Sequence, residues 1–494
     1  MEELSSFTFS DRNYFDPLSR FPVTPVYSDL LRTLIPEDWK TSRFDVWLRA
    51  SPPNAVLAPQ GFKIHVSSTV AGAQTALRRA VPECVRAGVT FKLAGDPTLL
   101  RFLNSKRHTR GGSGKFMAIY PPDEPTFLAL LEALHQATRD LEGPYILSDK
   151  RYRDSKSVFY RYGGFQRMSR LRPDGSQQLM IRKPDGTFLP DARTPYFELP
   201  EWVKDPLPDS PEPEDDESGL LHGRYQVQEA LSFTNTGGIY RAIDQQTGHT
   251  VCIKEARPHT ETWLGGEQTV DAVAALRREH ANLQRMQDLP FVPRLIELFQ
   301  EWEHTYLATS FVEGEPLAKL RTRDDFIILP YMDDPERVLR FCKVLRELTL
   351  RLLDAVEAIH ARGLVVGDIS PGNVLFDRST GKLNLIDFEA ALVRGESSAL
   401  SVHWFNPGFR AEARRQATTL EPFDDFYACG MLLYNLVCPI QSLFELDKSH
   451  PTFRILDHFV EEGLPVQVRR IVQALLEGRA DLARQEVESW TLAS

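Results

Sequence analysis

Apolar and polar positions alternate through Gly61-Phe62-Lys63-Ile64-His65-Val66-Ser67, and a period of two predicts a strand with Lys63 and His65 on the same face. The period then changes. From Ser67 to Gly88 the apolar positions Ala76, Leu77, Ala80 and Val81 recur at helical spacing behind Ser/Thr residues suited to cap a helix. Val89-Thr90-Phe91-Lys92-Leu93 and Lys115-Phe116-Met117-Ala118-Ile119-Tyr120 read as strands on either side of a polar, basic loop, Asn104 to Gly114. Thr126 to Leu141 is a helix with Phe127, Leu130, Leu131, Leu134 and Ala137 on one side, and Pro144 to Asp149 and Val158 to Gly164 are further strand candidates. The opening segment, through about Asn54, is rich in aromatics, prolines and charges without low complexity, so packing on the strands and helices after it should order it. Strands and helices mixed in this way form an α+β or α/β domain ending near Pro200.

Asp205 to Ser218 is dense in Pro and acids and cannot bury a core; it reads as a solvated, extended spacer. From about Gly223 the pattern is strand-rich and then helical. The boundaries expected are 1–202, a linker 203–221, and 222–494. A chain of 494 residues, 42% hydrophobic and 26% charged, suits two or three domains with full cores. A net charge of −10 argues against a general nucleic-acid binder. The five cysteines lack C-x-x-C spacing, which fits neither a zinc site nor a disulfide framework and implies a reducing compartment. With no signal-peptide pattern at Met1 to Ser6 and no apolar run long enough to span a bilayer, a cytoplasmic protein without membrane contact is expected.

The chemistry of the second half centres on Val366-Gly367-Asp368-Ile369-Ser370-Pro371-Gly372-Asn373 and Leu385-Ile386-Asp387-Phe388-Glu389. An Asp with an Asn five positions on, then Asp-Phe after a strand-like run, resembles a protein-kinase catalytic loop and metal-binding Asp. Asp368 would accept the proton of a substrate hydroxyl, while Asn373 and Asp387 would hold metal. Upstream, Val251-Cys252-Ile253-Lys254 fits the strand bearing the phosphate-pairing lysine, and Glu279, in the helical pattern Ala275 to Leu283, is spaced to pair with it. Thr236-Gly237-Gly238 stands where a glycine-rich phosphate loop belongs, but Ser232 and Thr234 replace its first two glycines. Leu345 to Arg362 should be the helix leading to the catalytic loop, and Asp425 to Gly430 the start of a large C-lobe helix. Val366-Gly367 replaces the usual His-Arg, Glu389 replaces the Gly after Asp-Phe, and no Ala-Pro-Glu follows, which suggests a kinase without activation-loop control.

Taken together, Lys63-Ile64-His65-Val66-Ser67, Phe91-Lys92, Ser113-Gly114-Lys115-Phe116, Tyr120-Pro121, Leu147-Ser148-Asp149, Tyr160-Arg161-Tyr162-Gly163, Thr236 to Tyr240, Ile253 to Pro258 and Asp387-Phe388-Glu389 resemble the class III and class IV lanthipeptide synthetases. That resemblance implies an α+β multidomain protein, with an α/β domain like the phosphothreonine lyases followed by a bilobal protein-kinase-like domain. It implies phosphorylation of Ser and Thr in a ribosomal precursor peptide, using ATP or GTP and Mg2+, then elimination to dehydroalanine or dehydrobutyrine. Lys92 matches the family's general base, its amine kept neutral by Lys63, Arg110 and Arg161. Lys63 would polarise the carbonyl and His65 act as general acid. Arg110 and Arg161 would bind phosphate, with Tyr120 and Asp149 in support; Lys106, Arg107 and Lys115 are further phosphate candidates. A helical leader segment would dock on the kinase N-lobe. The family's cyclase is absent from these residues, so either the chain is shortened or another protein closes the rings. The other readings are a Ser/Thr kinase whose first half only binds a partner, and a pseudokinase scaffold.

Overall fold

The computed structural model describes residues 16–207, 219–265, 268–398, 401, 405–406, 408–439 and 451–492. The aromatic pair Tyr14-Phe15 and most of the expected spacer lie outside them.

The described part of the opening segment, from Asp16, is ordered by packing, as expected. Helix α1 (Val26–Leu34) buries Tyr27 and Leu31, and Tyr27 meets Phe116 edge to face. Seven strands follow: β1 (Lys40–Phe44), β2 (Trp47–Ser51), β3 (Gln60–Val66), β4 (Thr90–Ala94), β5 (Met117–Tyr120), β6 (Lys150–Arg151) and β7 (Val158–Gly164). They form one sheet in the order β1-β2-β4-β5-β3-β7-β6, antiparallel throughout. Ile64, Val66, Phe91, Leu93, Met117, Ile119, Val158 and Tyr160 join one core with Leu77, Phe127 and Leu131 of helices α2 (Ala73–Arg86) and α4 (Glu124–Thr138); the short α3 (Pro97–Leu103) lies between these helices in sequence. Each fully buried Leu or Phe contributes about 1.5–3 kcal/mol. Because side chains alternate, the intervening Lys63, His65, Lys92, Tyr120 and Arg161 face the other side of the sheet. The register sets Lys63 beside Arg161, and His65 and Lys92 on either side of Ala118.

Two sequence expectations in this domain are shifted by the tertiary structure. Helix α2 begins at Ala73 and not at Ser67, because Ser67 Oγ donates to Pro144 O (2.7 Å) and its N–H to Ser157 O (2.7 Å), which holds that turn extended. Pro144 to Asp149 is a loop rather than a strand. An unforeseen small sheet, β8 (Ser169–Leu171), β9 (Gln177–Arg182) and β10 (Phe188–Pro190), folds back and delivers Asp191 and Arg193 to the polar face of the large sheet. The spacer's first residues belong to this domain: Lys150 Nζ and Tyr160 OH both donate to Asp205 (2.8 and 2.9 Å), and Leu207 packs on the core.

The second half has a five-stranded antiparallel sheet, β11 (Tyr225–Thr234), β12 (Gly237–Asp244), β13 (Thr250–Ala256), β16 (Leu295–Glu301) and β17 (His304–Ser310), ordered β11-β12-β13-β17-β16, with a small hairpin β14 (Trp263–Gly265) and β15 (Gln268–Val270). Helix α5 (Ala272–Arg285) starts at Asp271, whose side chain accepts from Ala274 N. A helical lobe comes next, built on α6 (Pro335–His360) and α7 (Pro422–Val437). Helix α6 starts earlier than the expected Leu345, capped by Asp334 with Pro335 in its first turn.

The halves are docked on each other. Arg257, 1% exposed, donates from its guanidinium to Asn235 O (3.0 Å) and to Tyr145 O of the first domain. Arg151 grips Glu303 through both Nη atoms (2.7 and 2.6 Å), and Tyr145 meets Trp302 edge to face at 4.6 Å.

Two candidate active sites

The polar face of the first sheet lines a cleft of about 860 Å³. Lys63, His65, Lys92, Tyr120 and Arg161 are all in its wall, with Asp191 and Arg193 opposite. Asp149, fully buried behind His65, accepts from His65 Nδ1 and from Ser148 Oγ (2.8 Å), with Lys115 Nζ at 3.7 Å. Burial alone would raise its pKa, but His65 and Lys115 hold it well below the usual carboxylate range. Asp149 is therefore a carboxylate and His65 Nδ1 carries the hydrogen between them, which leaves Nε2 of the neutral ring without one. Burial pushes the imidazole down to about 3 despite Asp149, so it is neutral at pH 7.

The lysines are similarly displaced. Lys92 Nζ sits 4.1 Å from the centre of the Trp47 ring, and burial, then Arg193, lower it to about 7. Lys115 donates to Gly111 O (2.7 Å) and is lowered by burial to about 7; burial and Arg161 take Lys63 well below its ordinary value. Arg161 pairs with Asp191 (2.7 Å). Arg161 and Arg193 thus face the carboxylates Asp149 and Asp191, and an entering phosphate dianion would restore the suppressed charge of Lys63 and Lys115 beside them. Beside them stands an amine able to take a proton near neutrality.

The second cleft lies between the two lobes. Lys254 Nζ is 2.6 Å from Glu279 Oε1 and 3.1 Å from Asp387 Oδ1. Burial would lower Lys254, but the two carboxylates raise it, so it stays a cation. Asp387 has φ +67°, a left-handed conformation for a non-glycine residue; Asn282 holds the following turn by donating to Phe388 O and Ala391 O (3.0 Å each). Asp368 accepts from Asn373 Nδ2 (3.0 Å) and Asn406 Nδ2 (2.9 Å), and burial followed by Asp387 raises its pKa. Asp425, in the first turn of α7, accepts from Val366 N, Gly367 N and His360 Nε2, each at 2.8 Å. It fixes the loop without the missing His-Arg. At Gly237, φ is +153° and an added Cβ would lie 1.9 Å from Glu255 O, so the hairpin here admits only glycine. Thr236 and Gly238 line the same cleft.

For a divalent cation the donors fit. The Asn373 nitrogen is committed to Asp368, leaving its amide oxygen, and Asp387 brings a carboxylate. Among the described residues no cluster of three or more His, Cys, Asp or Glu side chains could hold a metal. Two oxygen donors completed by substrate phosphates are how Mg2+ is commonly held.

Three of the sequence expectations are redrawn. Arg110 does not line the first cleft; its guanidinium lies 4.7 Å from the centre of the Phe233 ring, across the domain boundary. The low Lys92 pKa comes mainly from burial and from Arg193, not from Lys63, Arg110 and Arg161. Lys106 points into the kinase cleft. Arg193, Asp191 and Asn406 went unrecognised because they sit in segments with no periodicity and no motif.

Residues 27–219 match the family described as RamC, N-terminal domain, and residues 225–470 match the protein kinase domain. The second half is thus a protein kinase domain, with a sheet-rich N-lobe and a helical C-lobe. The chain carries the two matches in that order. It is 35% identical over 446 residues to a probable SapB synthase of Streptomyces coelicolor, which covers 90% of this chain and 46% of the relative. It is 26% identical over 294 residues to the DNA damage-responsive serine/threonine-protein kinase RqkA of Deinococcus radiodurans, 56% of this chain and 40% of the relative. Serine/threonine-protein kinase pkn2 of Myxococcus xanthus is 25% identical over 228 residues, 45% of this chain and 25% of the relative. The chain spans less than half the length of each. No helix among the described residues is long and apolar enough to cross a membrane.

Proposed function

We propose that this chain dehydrates Ser and Thr residues of a ribosomally made lanthipeptide precursor in two steps, phosphorylation in the second domain and elimination of phosphate in the first. The observation that supports this reading best is the pairing of a full kinase constellation with a separate cationic cleft whose Lys92 sits near 7. A kinase that merely bound a partner through its first half would have no use for such an amine.

In the kinase cleft, a nucleoside triphosphate, ATP or GTP, is the donor. Lys254 stays charged and holds phosphate oxygens, while Asp368, steadied by two amide donors, receives the hydroxyl proton of the peptide. Mg2+ held by Asn373 and Asp387 would neutralise charge on the phosphates.

In the first cleft, Lys63, Lys115, Arg161 and Arg193 seat the phosphate of the modified residue. The Lys92 amine removes the Cα proton; its electron pair becomes the Cα=Cβ bond, and the Cβ–O bond breaks to release phosphate. Lys63 lies on the same strand face as His65 and polarises the amide carbonyl while the enolate forms. The entering phosphate brings negative charge against His65, raising it from its low value so that Nε2 takes up a proton from water as the substrate binds and passes it to the departing oxygen. Asp149 holds the imidazole in register for that transfer.

The test is intact mass spectrometry of a candidate precursor peptide, bearing its leader segment, incubated with the chain, ATP or GTP, and Mg2+. Loss of one water per modified residue supports the reading, and the nucleotide that drives it identifies the donor. Phosphate gain that never proceeds to water loss leaves a plain Ser/Thr kinase with a partner-binding first half. An unchanged peptide and no nucleotide binding leave a scaffold.

A further inference from the structure

Lys106 belongs to the first domain by sequence and to the kinase cleft by position. It lines the same cavity as Thr234, Gly237, Lys254 and Asp387, and its Nζ lies 3.7 Å from Glu389 Oε1, beyond hydrogen-bond distance. The loop that carries it is gripped on both sides. Lys106 N donates to Glu261 Oε2 (2.6 Å), Glu261 N donates to Asn104 O (3.0 Å), and Asn235 Nδ2 donates to Ser105 O (2.9 Å) and Leu103 O (3.3 Å). Asn235 is fully buried at the tip of the β11–β12 hairpin. The tip of the phosphate-covering hairpin is therefore clamped against the first domain, on the stretch where Ser232 and Thr234 replace glycines.

The cleft also has a charge to fill. Lys254 is committed to Glu279 and Asp387, while Glu261, Glu389 and Asp368 stand around Lys106. A phosphate cover of reduced glycine content gains a cation from the neighbouring domain.

We propose that Lys106 is a residue of the kinase active site: its ammonium contacts the terminal phosphate of the bound nucleoside triphosphate and stabilises the phosphoryl group in transit, so the first domain completes the second domain's centre. This rests on the kinase reading above. In the step, the peptide hydroxyl oxygen bonds to the terminal phosphorus and the bond from that phosphorus to the β–γ bridging oxygen breaks. The nucleoside diphosphate leaves with the electron pair, and the hydroxyl proton passes to Asp368. Negative charge grows on the oxygens that Lys106 can reach.

The experiment uses the full chain, with Lys106→Ala and Lys106→Arg compared with wild type in three assays: titration with tri- and diphosphate nucleotide, peptide phosphorylation, and elimination from a synthetic phosphopeptide. For Lys106→Ala we expect triphosphate affinity to fall about tenfold with diphosphate affinity unchanged, and phosphorylation to slow about 100-fold. Lys106→Arg should recover part of both, and elimination should not move, which also reports intact folding. Unchanged phosphorylation and triphosphate binding in Lys106→Ala, in a wild type that does phosphorylate, overturns this proposal alone. A fall in elimination with phosphorylation intact assigns Lys106 to the first cleft and overturns it too. A joint loss of both activities that Lys106→Arg does not restore makes the residue structural and equally overturns it. A wild type that binds no nucleotide removes the kinase reading and the proposal with it.

Discussion

Lys92 and Lys254 each stand on a central strand of an antiparallel sheet, each facing a cleft, and they are driven in opposite directions. Lys92 lies over Trp47 with Arg193 nearby, and falls to about 7. Lys254 meets Glu279 at 2.6 Å and Asp387 at 3.1 Å, and rises. Both lose water, so desolvation pulls both down; the charges around them decide the outcome. Elimination needs an amine that can take a proton, and phosphoryl transfer needs a permanent cation. In the proposed function the same side chain would serve either purpose, its neighbours deciding which.

The sharpest way to break this comparison is to disable one cleft and read the other. Asp368→Asn should reduce phosphorylation by about 10⁴-fold while elimination from a synthetic phosphopeptide is unaffected. Lys92→Ala should reduce elimination by about 10³-fold and make phosphopeptide accumulate in the mass spectrum. A fall in both activities with either substitution would mean that the clefts are not independent.

The two lysines also predict different pH behaviour. If Lys92 is the base of the proposed elimination, its amine acts as free base, and kcat/KM for elimination should drop tenfold per unit below about 7 and level off above it. Phosphorylation should show no such limb from Lys254, whose raised value keeps it charged. The linkage to folding has a definite sign. With Lys92 lower in the folded chain than its ordinary 10.5, the unfolded chain binds more protons between those values, so this group's contribution to stability rises with pH from about 7 to 10.5. A flat elimination profile from pH 5 to 9 would rule out Lys92 as the base.

Smaller effects probe the contact between domains. Arg257→Met leaves the carbonyls of Asn235 and Tyr145 without their donor, and should cost about 1–3 kcal/mol in denaturant unfolding of the docked pair. Arg110→Ala should be milder still, about 0.5–1 kcal/mol through loss of the Phe233 stacking, with elimination kept within about twofold. A large loss of elimination in Arg110→Ala would return that residue to phosphate binding.

Much of the fold was legible in the chain because its signals are local. The alternation around Lys63 and His65, the helical spacing of Phe127, Leu130, Leu131 and Leu134, and the ordered motifs around Lys254, Asp368 and Asp387 each depend on residues near one another in sequence. Boundaries were less secure: Ser67 left its predicted helix because a distant carbonyl, that of Pro144, claimed its hydroxyl. Arg110, read as a phosphate ligand, and Lys106, a further candidate, looked alike in a basic loop, though one stacks on Phe233 and the other enters the kinase cleft.

By itself, then, the sequence determined the mixed α/β character of the two halves, the strand faces and the order of the motifs around Lys254, Asp368 and Asp387, since periodicity and motif spacing are properties of short stretches of chain. The tertiary structure alone decided which charges meet. Arg193 reaches Lys92's cleft only through the small sheet β8–β10, and Lys106 reaches Glu389 only because Asn235 and Arg257 clamp one domain to the other. Desolvation and charge proximity are set by residues far apart in sequence, and no local pattern encodes them.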